Sequence, residues 1–225
     1  MSEKMEEMRS FFDKRADTYE SHMRENVHGS RMYYEAVAHL IPDTGCVKIL
    51  DLGCGTGLEL DEIFKVNSQA TVTGIDLSEN MLEVLKRKHF DKLDRLTLIR
   101  GSYFEIDFPA DSFDIAISVQ SMHHFNRNQK LLLYTKILNC LVTEGFYIEA
   151  DYVVETKLEE RKSRESYEKS KDLSNAPDGF YHFDLPFCID SQEKILKESG
   201  FHRVEHHSRF GNTSIFVAHK NSASL

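Results

Sequence analysis

The sequence predicts one α/β domain on a doubly wound, mostly parallel seven-stranded sheet, with helices ahead of the first strand and an insertion after the fifth. Three observations carry this. Short apolar runs alternate with amphipathic helical stretches from residue 47 to residue 152, and the short links between them force a parallel order. Ile49-Leu50-Asp51-Leu52 passes straight into Gly53-Cys54-Gly55-Thr56-Gly57, a buried strand entering a turn so tight that only glycine fits. Asp76 closes a second apolar run, at the edge where an open parallel sheet binds its ligands.

Each element follows in order. Residues 5–24 read as helical, with Met5, Met8, Phe11 and Phe12 on one side. Strand 1 covers 47–52 and the next helix 58–66. Strand 2 covers 71–76, and Ser78 caps a helix that turns Met81, Leu82 and Leu85 inward. Strand 3 spans 96–100 and strand 4 spans 114–119. A short crossover helix is expected between them, limited by Pro109 and the acids around it. The helix over 128–141 presents Leu131, Leu132, Ile137, Leu138 and Leu141 as its buried side, and Glu144-Gly145 turns the chain into strand 5, 146–152. Residues 155–176 carry charge on nearly every face and read as a solvated helix. An aromatic, loop-like stretch follows over 179–187. Asp190 and Glu193 form a capping box for a last helix, 191–199, which Gly200 ends. Strands near 203–207 and 214–219 complete the sheet. The implied division is one domain, 1–225, with N-terminal helices over 1–45, a core over 46–152, an insertion over 153–189 and a closing helix and strands over 190–225.

Composition narrows the function. The 225 residues are 40% apolar and 11% aromatic, enough for a substantial core. A net charge of −9 argues against a broad phosphate-backbone footprint, so nucleic acid is not the expected partner. No apolar run reaches membrane-spanning length, and the charged N-terminus lacks a signal-peptide stretch. Cys46, Cys54, Cys140 and Cys188 have neither disulfide-framework nor zinc spacing. The expectation is a cytoplasmic protein in a reducing compartment, with a homodimer left open.

The glycine spacing selects the ligand. A dinucleotide fingerprint would need glycine at position 58, which is Leu58, and a P-loop would need a lysine close behind the loop. The pattern Asp51-x-Gly53-x-Gly55-x-Gly57 instead resembles motif I of the class I, Rossmann-like S-adenosylmethionine-dependent methyltransferases. Asp76-Leu77-Ser78 matches the acid that binds both ribose hydroxyls in that family. Gly101-Ser102-Tyr103 matches its adenine-side turn, with serine where members usually carry an acid. Phe113 to Val119, leading into Gln120-Ser121-Met122-His123-His124-Phe125, resembles its motif IV. Phe12-Asp13-x-x-Ala16-x-x-Tyr19 is similar to the segment that folds over the cofactor as a lid, and an amphipathic packing helix is the alternative. The resemblance implies that S-adenosyl-L-methionine, leaving as S-adenosyl-L-homocysteine, is held by Tyr19, Asp51, Gly53, Cys54, Gly55, Asp76, Leu77, Met81, Ser102, Tyr103, Ser118, Val119 and Gln120. Cys54 otherwise reads as a small filler inside the loop, and Arg31 as a surface residue rather than a partner for the cofactor carboxylate.

Transfer from a sulfonium needs alignment and exclusion of water more than acid–base help. The loop 120–125 leaves strand 4 at the ligand edge, which makes His123 and His124 the candidate catalytic residues, either deprotonating the acceptor or supporting the loop. Tyr181, His182 and Asp184 are second candidates from a segment able to close over the substrate, with packing of the lid on the core as the alternative. No metal is expected: adjacent histidines on one turn point differently, and Asp114 begins strand 4 at the wrong end. The sequence therefore reads as a methyltransferase acting on a small molecule by in-line displacement. A tRNA or protein methyltransferase, or a non-catalytic binder of the same cofactor, are the alternatives. Whether N, O, S or C is methylated is not encoded in these motifs.

Overall fold

The computed structural model describes residues 5–174 and 179–221. Residues 1–4, residues 175–178 of the expected insertion and residues 222–225 lie outside the described residues. The helices are α1 (Met8–Asp13), α2 (Ala16–Asn26), α3 (Ser30–His39), α4 (Leu58–Val66), α5 (Glu79–Lys88), α6 (Arg127–Cys140), α7 (Lys157–Ser174) and α8 (Ile189–Glu198). The strands are β1 (Lys48–Leu52), β2 (Thr71–Asp76), β3 (Leu96–Arg100), β4 (Phe113–Val119), β5 (Leu141–Val154), β6 (Phe187–Cys188), β7 (Arg203–Phe210) and β8 (Thr213–His219).

Seven strands form one sheet in the order β3-β2-β1-β4-β5-β8-β7, and β6 pairs with the far end of β5. β1 to β5 run parallel, and β8 is antiparallel to both its neighbours. The direction of winding reverses between β1 and β4, so a crevice opens at the carboxyl ends of those two strands. The strand pleat explains the double winding: Ile49 faces a core built with Tyr33, Val37, Leu60, Ile63 and Leu85, while the next residue, Leu50, faces one built with Tyr134, Ile137, Ile195 and Phe216. Helices α3, α4 and α5 thus cover one face, and α6 and α8 the other.

Several local expectations change. The helical stretch over 5–24 is two helices, broken where Lys14 and Arg15 N–H close tight turns on Ser10 O and Phe12 O. No helix forms between β3 and β4. The chain there turns on Ser102, whose carbonyl accepts from Glu105 and Ile106 N–H, and Pro109 follows before another helical turn can develop. On α6 the buried side is Lys130, Leu133, Tyr134, Ile137 and Cys140, while Leu132 is 71% exposed. That face is rotated from the expected one because Lys130 goes inside, where Nζ donates to Gln192 Oε1 at 2.8 Å and lies 3.8 Å from Glu149 Oε1. The proposed capping box at Asp190 and Glu193 does not form. α8 begins at Ile189 with Cys188 as its cap, no side-chain cap bond is made, and Asp190 already sits in the first turn. β5 starts at Leu141 rather than 146, with an irregular register opposite Phe113 and Ile115. α7 buries none of its residues, as its charge pattern requires. Among the described residues no helix is long and apolar enough to cross a membrane.

Candidate active site

The glycine loop is where the sequence constrains backbone most tightly. Gly53, Gly55 and Gly57 all have positive φ, at 82°, 47° and 71°. A Cβ on Gly53 would stand 2.4 Å from Ser121 Oγ, so the first glycine lets the β1 and β4 loops touch. Gly53 N–H donates to Ile75 O at 2.8 Å, and Gly55 N–H donates to Asp76 Oδ2 at 2.9 Å. Asp76 Oδ1 accepts from Ser78 N–H at 2.8 Å, so one carboxylate ties the loop to the start of α5. Burial pushes the Asp76 carboxyl up to about 6 against these stabilising backbone donors.

Beneath the loop, Asp51 is 1% exposed, and Glu59, from the first turn of α4, is buried beside it. Among the described residues no N–H or O–H reaches either Oδ of Asp51, or Glu59 Oε1. Burial drives both carboxyls upward, Asp51 further because Glu59 adds a like charge. A cation brought against the pair would offset its like charges. Two buried carboxyls beneath the loop, with three oxygens that accept no hydrogen bond among the described residues, therefore fit a ligand with cationic groups above them.

A crevice of about 50 Å³ lies at the loop, lined by Met8, Phe12, Tyr19, Gly53, Gly55, Asp76, Leu77, Met81, Tyr103, Gln120, Ser121 and His124. The structure thus brings together most of the residues expected at the cofactor. Asp51, Cys54, Ser102, Ser118 and Val119 do not line it. Cys54 Sγ packs toward Gly74 of β2, Ser102 Oγ accepts Phe104 N–H, Ser118 Oγ hydrogen-bonds Tyr147 OH at 2.6 Å, and Val119 joins the α3–α4 core. Arg31 is exposed and paired with Glu35 at 2.8 Å, away from the crevice. Met8 lines the crevice outside any matched motif, although it falls on the apolar side of the first helical stretch, while Phe12 and Ser121 lie inside matched segments without having been singled out.

A second cleft of about 630 Å³ shares Phe12, Tyr19, Gln120 and His124 with the first and continues past His22, Glu25, Asn26, His123, His182 and Asp184. Gln120 stands at the junction in the left-handed region, φ 52°, with Nε2 donating to Thr213 Oγ1 at 2.7 Å. A non-glycine residue held there costs on the order of 1–3 kcal/mol, strain of the kind that clusters at ligand sites. The outer wall is one assembly. Met8 N–H donates to Phe180 O, His182 N–H donates to Glu6 O, and His182 stacks on Phe11 with ring centroids 3.4 Å apart. The N-terminal helices and the later part of the insertion therefore border a single cleft.

His123 and His124 occupy a three-residue 3-10 turn, Met122–His124, at the floor of this cleft. His123 Nδ1–H donates to Asp151 Oδ1 at 2.5 Å. Burial lowers the imidazole's proton affinity, but the charge and hydrogen bond of Asp151 outweigh it and leave His123 above its usual range. His124 is held well below it by burial and by the neighbouring His123 and His182. The expectation that adjacent histidines diverge fails here. Leu185 N–H donates to His123 O at 2.6 Å and His124 Nδ1 lies 3.3 Å from Phe183 O, which drapes residues 183–185 across the turn. Both rings, 4.0 Å apart, then face Asp184. Asp151 was missed in the sequence. Its signal is positional: Val119 pairs with Ala150, so Asp151 of β5 lies level with the carboxyl tip of β4, at the same edge of the sheet as Asp51 and Asp76.

Comparison with known proteins decides the family. Residues 49–145, the stretch from β1 through α6, match the methyltransferase domain model. The matched region is a methyltransferase domain of the class I S-adenosylmethionine-dependent type. Among related class I sequences, it is 25% identical over 184 residues to the carboxy-S-adenosyl-L-methionine synthase of Campylobacter fetus subsp. fetus, covering 77% of each chain. It is also 25% identical over 126 residues to the fatty-acid O-methyltransferase of Mycolicibacterium smegmatis, covering 56% of this chain and 44% of that one. In fold it resembles phosphoethanolamine N-methyltransferase 2 of Haemonchus contortus, solved with S-adenosyl-L-methionine, at a TM-score of 0.70 and 20% identity over 95% of this chain. Human N-acetylserotonin methyltransferase, also solved with the cofactor, gives 0.63 and 14% over 86%. The chain spans 60% and 53% of the lengths of those two class I methyltransferase structures. S-adenosylmethionine is accordingly the cofactor of this enzyme.

Proposed function

We propose that this chain transfers the methyl group of S-adenosylmethionine to a small molecule by in-line displacement, and that the acceptor binds in the 630 Å³ cleft. One observation carries the reading: the cleft meets the glycine-loop crevice across Phe12, Tyr19, Gln120 and His124 and is walled on its outer side. Its volume is that of a small-molecule pocket, and a walled cleft aligns two reactants while keeping water out. The net charge of −9 disfavours a nucleic-acid acceptor. The relatives named for a carboxylated S-adenosylmethionine and for fatty-acid O-methylation support small-molecule chemistry.

When bound, S-adenosylmethionine supplies a methyl group on a sulfonium, already a good leaving group. We assign Asp76 to its ribose hydroxyls, the buried Asp51 and Glu59 pair to its cationic end, and Tyr19, Leu77, Met81 and Tyr103 to its flanks. Gln120, His123 and His124 face the acceptor, with Asp151 fixing the ring of His123. Asp151→Ala should lower turnover about 10- to 100-fold, the usual cost of losing such an orienting partner, while leaving S-adenosylhomocysteine affinity near that of the native protein. The primary test is a metabolite-extract screen with mass detection of both products. Release of S-adenosylhomocysteine with an acceptor gaining one methyl supports the reading. Accumulation of a carboxy derivative of S-adenosylmethionine, or binding without turnover in any extract, would overturn it.

A further inference from the structure

His123, His124 and Asp184 form an arrangement that alignment of two reactants does not require. Asp184 Oδ1 lies 3.6 Å from His123 Nε2 and 3.6 Å from His124 Nδ1. One ligating atom from each of the three residues falls within 4.8 Å of the others. The 3.6 Å separations are too long for hydrogen bonds, so the carboxylate does not satisfy the imidazoles directly. They are close to the spacing of donors that share an ion: bonds of about 2.1 Å at tetrahedral or octahedral angles separate ligand atoms by roughly 3.0–3.4 Å. We propose that these three side chains bind one divalent transition-metal cation at the floor of the acceptor cleft. The proposal rests on reading that cleft as the acceptor site.

The surroundings supply what such a site needs. His123 Nδ1–H is committed to Asp151 Oδ1 at 2.5 Å, which leaves Nε2, 3.6 Å from Asp184 Oδ1, as the nitrogen that would ligate once an ion displaces its proton. A carboxylate holding the far nitrogen of a histidine ligand is the usual outer support of metal-bound imidazole. Asp151 is itself fixed, buried on β5 with Oδ1 also accepting Tyr152 N–H at 2.8 Å. The segment carrying Asp184 is pinned by the Leu185 N–H bond to His123 O, which holds its carboxylate beside both imidazoles. His124 would exchange its 3.3 Å approach to Phe183 O for the ion. Asp184 is half-exposed, so an ion has a path in, and the remaining coordination positions face the cleft, where acceptor oxygens can take them. Two imidazoles and one carboxylate favour Zn²⁺, Fe²⁺ or Co²⁺ over Mg²⁺, which prefers oxygen ligands. An ion there would hold an oxygen-bearing acceptor beside the glycine-loop crevice, which assigns the acceptor class as one that chelates through oxygen. A simple histidine base would need Asp151 but neither Asp184 nor His124.

Cobalt is the probe. Untagged full-length protein is freed of metal and titrated with Co²⁺ alone, following visible absorption. The expected result is a ligand-field band that saturates at one Co²⁺ per chain and is displaced by Zn²⁺. Asp184→Ala and Asp184→Asn should each weaken Co²⁺ binding at least tenfold while S-adenosylhomocysteine affinity by calorimetry stays as in the native protein. Two variants guard against misfolding of one, and near-ultraviolet circular dichroism reports the fold of both. No saturable band, or an identical titration in folded Asp184 variants, would overturn the site and assign any binding to other histidines. S-adenosylhomocysteine binding and methyl transfer by metal-free protein without a cobalt band would sink the metal site alone. A cobalt band with no methyl acceptor in any extract would sink the methyl-transfer reading alone.

Discussion

Asp76 joins two loops and, as assigned, one ligand, so its substitutions separate those duties. Asp76→Ala should weaken S-adenosylhomocysteine binding by about 1–3 kcal/mol, the worth of charge-assisted hydrogen bonds to hydroxyls. Asp76→Asn retains an acceptor for Gly55 N–H and should lose less, and calorimetry on both variants checks the order. The same residue sets a pH dependence. Burial raises its carboxyl from 3.8 to about 6, so the folded state holds a proton more tightly than the unfolded chain does. Its contribution to folding is therefore favourable in acid and is lost as pH rises through about 6. Ligand binding has the opposite sign, because ribose hydroxyls donate to the carboxylate. Affinity should fall below pH 6, by up to about tenfold per unit, and calorimetry between pH 5 and 8 measures it. The three glycines were legible because their positive φ requires them, and Asp51 and Asp76 because each sits at the end of an apolar strand run at the ligand edge. Asp151 was not, and Asp184 was legible only as a candidate on a closing segment, since each meets His123 only after distant segments pack.

At the level of elements, β5, α6 and α8 are joined by a buried polar network. Lys130 Nζ donates to Gln192 Oε1, Gln192 Nε2 donates to Tyr134 OH at 2.7 Å, and both Tyr134 and Tyr147 donate to Glu149 Oε2. Removing its only cation strands a buried carboxyl. Lys130→Ala should destabilise the domain by about 3–5 kcal/mol, read as a lower urea midpoint with an unchanged slope. Lys130→Met with Glu149→Leu should recover most of that loss, because the desolvation penalty disappears with the charges. The α1 helix is held by a different device. Asp13 Oδ1 accepts Ser78 Oγ–H at 2.6 Å, and Asn80 Nδ2 donates to Asp13 O, at the start of α5. Asp13→Ala should cost about 1 kcal/mol and speed amide exchange in α1 while β1 and β4 stay protected. Hydrophobic period located α6 but rotated its buried face, because a lysine at the core position reads as surface until Glu149 is placed opposite it.

On the scale of the whole molecule, the glycine-loop crevice of about 50 Å³ is far below the roughly 300 Å³ at which small-molecule pockets begin. Met8, Phe12 and Tyr19 line it, so α1 and α2 are the elements that cofactor binding is expected to displace. Hydrogen exchange with and without S-adenosylhomocysteine should show protection rising over residues 8–26 and 180–184 together, because the backbone bonds of Met8 and His182 couple the two segments. A response limited to residues 53–57 would show that the two segments do not act as one wall.

By itself, the sequence determined the alternation of strand and helix, the parallel core, the position of the glycine turn and the acid at the tip of β2. Those features are local: pleat period, helical period and the positive φ of three glycines each fit within a few residues. The tertiary structure alone decided which side chains meet above the sheet. Strand order brings the β4 loop beside β1, the register of β5 delivers Asp151 to His123, and the hydrogen bonds of residues 183–185 lay Asp184 over both histidines. Convergence of groups so far apart along the chain is a consequence of packing, for which no periodicity in the sequence carries a signal.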